Sequence, residues 1–133
     1  MGFFKRIFGI CETRPPLDAG CWTYGNGKVE VDLGRAPELG RREGAIRLEG
    51  GGLPERILVF QGNDGEFHAL VNKCMHMGRR IDPLAGSSNV RCCSVSKSTY
   101  DYTGKVISGP AKGPLTSLPV KSENGRLVIG LRL

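Results

Sequence analysis

Long apolar runs are missing from this chain. Its uninterrupted hydrophobic stretches last only a few residues, of which 57–60 is typical, so no transmembrane helix is expected. Residues 1–10 carry Lys5 and Arg6 in their middle with no apolar region behind them, so no signal peptide is read there. A cytoplasmic location follows as an expectation, and with it a reducing environment. Five cysteines are then read as thiols or metal ligands rather than disulfides. Repeats and low-complexity tracts are absent. Basic residues are spread along the chain without a basic-aromatic stripe, so no nucleic-acid partner is expected despite a net charge of +6. That charge fits a solvated basic surface able to steer an acidic protein partner. Histidine is scarce, with only His68 and His76. No acid partner or oxyanion loop can be named for a nucleophilic cysteine, so that class of catalysis has no support here.

What is plentiful is punctuation. The 133 residues include 20 glycines and 8 prolines, a density that favours short strands and turns over long helices. Charged residues make up 24% and hydrophobic residues 39%, the mixture of one ordinary globular domain. From Lys28 onward Val29, Val31 and Leu33 alternate with Glu30 and Asp32. Residues 45–48 alternate again, 56–61 are strongly β-prone, and Gly62-Asn63-Asp64-Gly65 reads as a hairpin turn into 66–72. Residues 90–93 and 99–102 read as a second small hairpin arm. Residues 120–131, turning at Glu123-Asn124-Gly125, read as a last hairpin. The expected class is all-β and antiparallel.

Residues 1–27 lack this pattern and read as an N-terminal extension. Within it, residues 3–8 place Phe4, Ile7 and Phe8 on one helical face. That face has two readings, a weak membrane-surface contact and a terminal segment folded onto the core. Cys11 and Cys21, with Trp22 and Tyr24 nearby, read as parts of a packed extension.

Chemistry concentrates between Cys74 and Asp101. Cys74-Met75-His76-Met77-Gly78 follows a strand, and sixteen residues separate His76 from Cys93-Ser94-Val95-Ser96-Lys97-Ser98. Tyr100-Asp101-Tyr102-Thr103-Gly104-Lys105-Val106 comes next. A Gly109-Pro110-Ala111 loop (108–115) and Leu118-Pro119-Val120 complete the run. Over residues 28–133 this run resembles the Rieske [2Fe–2S] family, with cluster-binding loops at 74–79 and 92–98. The resemblance implies a Rieske-like antiparallel β-sandwich with an inserted cluster-binding subdomain. It also implies a [2Fe–2S] cluster, with Cys74 and Cys93 on one iron and His76 on the other. Two imidazoles in place of two thiolates raise such a cluster's potential. The family's second histidine position holds Ser96, and the proline and glycine of that loop are replaced by Ser94 and Lys97. Ser98 and Tyr100 occupy positions from which the family hydrogen-bonds its cluster sulfurs.

Several outcomes stay open at position 96. Ser96 or a water supplies the fourth ligand, another residue substitutes, or the cluster is absent. In the last case Cys74 and Cys93, neighbours on one iron in the family, would be thiols or would join in a disulfide. His68, six residues before Cys74, reads as an ordinary half-exposed strand residue, and Cys92 as a packed thiol facing away from Cys93. Zinc on Cys74, His76 and Cys93 with Cys92 is the lesser metal reading, because paired Cys-x-x-Cys spacing is missing. The leading function is an electron-transfer module serving a redox protein partner. The alternative is a Rieske-like binding or assembly module without a cluster. An electron carrier or accessory protein is thus expected rather than a catalyst of its own reaction.

Overall fold

The computed structural model describes residues 11–75, 78–93 and 97–131. His76 and Ser96 lie outside the described residues, as does the 3–8 segment. The described chain is all-β, and its helical content is three short 3-10 turns. Strands run in chain order: β1 Trp22–Gly25, β2 Lys28–Asp32, β3 Ala45–Leu48, β4 Ile57–Gln61, β5 Phe67–Val71 and β6 Ile81–Pro83. They continue with β7 Asn89–Cys92, β8 Thr99–Asp101, β9 Val106–Ser108, β10 Ser117–Leu118, β11 Val120–Glu123 and β12 Arg126–Gly130. Every strand pairing is antiparallel, in three sheets ordered β1-β2-β12-β11, β10-β5-β4-β3 and β6-β7-β8-β9.

The middle sheet explains the most apolar stretch of the sequence. Ile57, Leu58, Val59 and Phe60 of β4 are all fully buried. A strand with one wet face alternates, whereas one covered on both faces cannot. Ile57 and Val59 pack with Val29, Val31, Leu127 and Ile129 of the first sheet. Leu58 and Phe60 point the other way, into a second core with Ile81, Val90, Cys92 and Tyr100 of the third sheet. The third sheet, which carries the candidate site, is therefore seated on the back of the middle one.

The N-terminal extension contributes a strand of its own. Trp22–Gly25 pairs with Lys28–Asp32 through an Asn26-Gly27 turn. Both turn residues have positive φ, 53° and 72°, the conformation an Asn-Gly hairpin demands. Asn124-Gly125 repeats the device between β11 and β12, at 51° and 76°. Upstream, residues 11–14 run beside the third and middle sheets. The Asp82 carboxylate accepts hydrogen bonds from the backbone N–H groups of Glu12 (2.8 Å) and Thr13 (3.0 Å). The Arg47 N–H donates to the Arg14 carbonyl at 3.0 Å.

Candidate functional site

The first loop links β5 of the middle sheet to β6 of the third, the second links β7 to β8 within the third, and each is closed by its own backbone. In the first, the Cys74 N–H donates to the Arg79 carbonyl (2.7 Å) and the Gly78 N–H to the Cys74 carbonyl (2.8 Å). Gly78 sits at φ 70°, where its missing side chain relieves the turn. Arg56 braces this loop from β4's approach, donating to the carbonyls of Asn72 and Gly78. In the second loop, the Cys92 N–H donates to the Ser98 carbonyl at 2.8 Å. The loops are tied together where the Cys93 N–H donates to the Arg80 carbonyl at 2.9 Å. Lys97 adopts φ 56°, a left-handed conformation at the position where the resemblance expects glycine.

Tyr100 sits beneath the first loop, fully buried. Its hydroxyl accepts a hydrogen bond from the Met75 N–H at 3.0 Å and lies 3.3 Å from Cys74 Sγ. Either atom can donate in that contact; toward a Cys74 thiolate, which carries no proton, the hydroxyl is the donor. Burial, and then the Cys74 contact, push the Tyr100 hydroxyl well above its ordinary value, so it stays protonated. Ser98 is also fully buried, and its Oγ has no hydrogen-bond partner among the described residues. An orphaned buried hydroxyl is rare in proteins. The third loop closes over it: a Cβ on Gly109 would stand 2.6 Å from the Ser98 Cα, and Gly109 has φ 94°. The Lys112 N–H reaches the Met75 carbonyl at 3.4 Å, so this loop also touches the first.

Cys93 departs from expectation. It is joined to Cys11 in a disulfide, with Cα atoms 5.3 Å apart and a sequence separation of 82. For the chain without a cluster the expectation is free thiols or a Cys74–Cys93 bond, and the Cys11–Cys93 pairing corrects both. The physical reason is the Asp82 carboxylate, which fixes residues 12 and 13 and so delivers Cys11 to the second loop. A carboxylate oxygen of Asp82 and the two sulfurs all lie within 4.8 Å of one another. Cys21, Cys74 and Cys92 are buried thiols outside that bond. Cys92 faces the second core with Cys74, opposite to Cys93. His68 stays in β5, where its Nε2 lies 3.0 Å from an Asp64 carboxylate oxygen.

A [2Fe–2S] cluster fits the Cys74 side as it stands. The Tyr100 hydroxyl can donate to a Cys74 thiolate, and Ser98 offers a second buried hydroxyl with no partner among the described residues. The Cys93 side fits in the dithiol form, since a ligand sulfur must be a thiolate. Cys11, Asp82 and Arg56 escaped sequence reasoning, because none stands at motif spacing from the two loops.

A family model described as Rieske [2Fe–2S] domain matches residues 31–119. The chain is 31% identical over 77 residues to the 3-phenylpropionate/cinnamic acid dioxygenase ferredoxin subunit of Escherichia coli (strain K12), covering 56% of this chain and 73% of that one. It is also 31% identical over 78 residues to the cytochrome b6-f complex iron-sulfur subunit of Chlorobaculum tepidum, covering 58% of this chain and 41% of that one. Among solved structures, the ferredoxin of carbazole 1,9a-dioxygenase from Nocardioides aromaticivorans IC177 shares the fold, with a TM-score of 0.58 at 17% identity over 69% of this chain and 88% of that one.

Proposed function

This chain belongs to the Rieske [2Fe–2S] domain family, and from that premise we propose that it is the small electron carrier of a larger redox system. It is a Rieske-type electron-transfer protein. The proposal adds its ligands, its partner and its cytoplasmic location. A bound [2Fe–2S] cluster takes up and returns one electron at a time. The proposed ligands are Cys74, His76 and Cys93, with Ser96 at the fourth position. The observation that carries this reading is the Tyr100 hydroxyl, buried and directed at Cys74 Sγ from 3.3 Å. Hydrogen bonds to ligand sulfurs are among the few means a protein has of tuning such a site.

The proposed partner is a redox protein with an acidic docking face. The three loops around the site carry exposed Lys73, Lys97 and Lys112, beside the exposed apolar side chain of Met75. Opposed charges speed encounter, and salt screens them. Among the described residues no helix is long and apolar enough to cross a membrane.

Iron and acid-labile sulfide analysis after anaerobic purification, with a visible absorption scan, tests the reading. Iron and sulfide in equal amounts are expected, and absence of both overturns it. Ser96→His is then expected to raise the potential and the stability to air, because an imidazole replaces an oxygen ligand. Unchanged values would remove Ser96 from the metal. The second reading, a cluster-free binding or assembly module, is favoured by one observation, the engagement of Cys93 in a disulfide.

A further inference from the structure

We propose that Cys11 and Cys93 are a thiol–disulfide modification site that competes directly with cluster binding. Cross-linked, the chain withholds Cys93 from the metal; reduced, it offers it. The inference rests on the ligand reading above, and turns its two alternatives into two states of one protein.

The argument starts from a single sulfur atom. A cluster ligand is a thiolate, and a sulfur in a disulfide carries no such charge. Cys93 Sγ therefore serves one role or the other. Cys11 is not at this sulfur by accident of a loose terminus. The Asp82 carboxylate holds the backbone on its C-terminal side at two points, with Glu12 N–H at 2.8 Å and Thr13 N–H at 3.0 Å. The Arg14 carbonyl is held by Arg47 N–H at 3.0 Å. On the other side, Cys93 is fixed by its N–H to the Arg80 carbonyl. Both backbones are thus positioned by contacts outside the bond itself. The resulting Cα separation of 5.3 Å falls in the range that disulfides occupy.

Exposure orders the chemistry. Cys93 is fully buried, whereas Cys11 is half-buried. The reachable thiolate is Cys11. It attacks one sulfur of a low-molecular-weight disulfide RS–SR, releasing RS⁻ and leaving a mixed disulfide on Cys11. The Cys93 thiolate then displaces the second RS⁻ and closes the Cys11–Cys93 bond. Two cysteine thiols are oxidised, and one RS–SR is reduced to two RSH after the departing thiolates take up the two protons. Excess dithiol reverses both steps. Cys74, Tyr100 and Ser98 lie outside the exchange, so the other half of the site stays formed in either state.

Oxidised glutathione and dithiothreitol are the probes, and alkylation with peptide mapping reads the bond independently of any metal. After glutathione disulfide, the cluster-free wild type is expected to show a Cys11–Cys93 peptide and to take up at least tenfold less iron than after dithiothreitol. Cys11→Ser is expected to load iron equally after either treatment. Asp82→Ala, which releases residues 12 and 13, is expected to slow cross-linking while sparing loading under dithiothreitol. Three results overturn the proposal: no Cys11–Cys93 peptide, equal loading of cross-linked and reduced wild type, or loss of loading in Cys11→Ser while reduced wild type loads. The last would make Cys11 a ligand. Failure of every form to load iron under dithiothreitol overturns the ligand reading itself, and the competition with it, while the peptide map still reports the bond.

Discussion

Tyr100 holds the first loop with one oxygen atom, since its hydroxyl accepts from the Met75 N–H and lies 3.3 Å from Cys74 Sγ, to which it donates when that sulfur is a thiolate. Tyr100→Phe keeps the ring in the second core and removes both bonds. A part-buried N–H would then lose its partner, at a cost of about 0.5–1.5 kcal/mol. Urea unfolding is expected to show that loss. The loaded protein should also have a lower potential, because a donor to a ligand sulfur favours the reduced, more negative state. An unchanged potential would separate Tyr100 from the cluster. Lys97 points the other way. It holds a left-handed φ of 56°, a conformation that costs a non-glycine residue on the order of 1 kcal/mol. Lys97→Gly should therefore stabilise the second loop by up to about 1 kcal/mol, read as a higher denaturation midpoint. A lower midpoint would mean that the long side chain is itself held in place.

At the scale of elements, strands were legible wherever one face is wet. Residues 45–48 alternate, and β3 spans those same positions, Ala45–Leu48. The run at 57–60 was read as a strand from its β-branched and aromatic content, but not as the strand shared by two cores. A sequence shows that such a strand is buried without showing what covers it. Trp22–Gly25 went unread, because its burial alternates weakly and it borders irregular chain. The tie between the site-bearing sheet and the middle sheet was equally invisible. Arg80, which follows the first loop, bonds Glu49 at the end of β3 through two nitrogens, at 2.6 and 2.8 Å. The Arg80 hydrogen bonds, opposed by partial burial, hold the Glu49 carboxyl below its ordinary value. A carboxyl depressed in the folded state contributes stability that is present above its unfolded pKa. That contribution is lost as pH falls through the folded pKa. Glu49→Gln should therefore cost up to about 1 kcal/mol near pH 7, and the difference from wild type should shrink below about pH 4.5. A difference that persists in acid would assign the effect to packing rather than to charge.

At the scale of the whole molecule, the two cluster loops were legible because their residues are close in sequence. Cys11 was not, since 82 positions separate it from Cys93 and no periodicity links residues that far apart. The bond has a consequence for stability as well as for the metal. In the chain-entropy account, closing a loop of that length restricts the unfolded chain by roughly 4–5 kcal/mol. The folded chain recovers part of this on reduction, because residues 11–14 then lose one of their ties to the fold while the Asp82 and Arg47 contacts remain. Neither Cys11 nor Cys93 belongs to a hydrophobic core cluster, so breaking the bond removes no core member. The net gain should therefore fall near the low end of the usual disulfide range, about 2 kcal/mol. For a chain of 133 residues that corresponds to a Tm roughly 8 °C higher in the cross-linked form. Calorimetry of metal-free wild type with and without dithiothreitol measures it, and Cys11→Ser should melt at the reduced temperature in both buffers. A wild type indifferent to reductant would mean that the N-terminal segment confines the unfolded chain no more than it frees the folded one. If instead Cys11→Ser alone melted lower in every buffer, the stabilising element would be the Cys11 side chain rather than its bond.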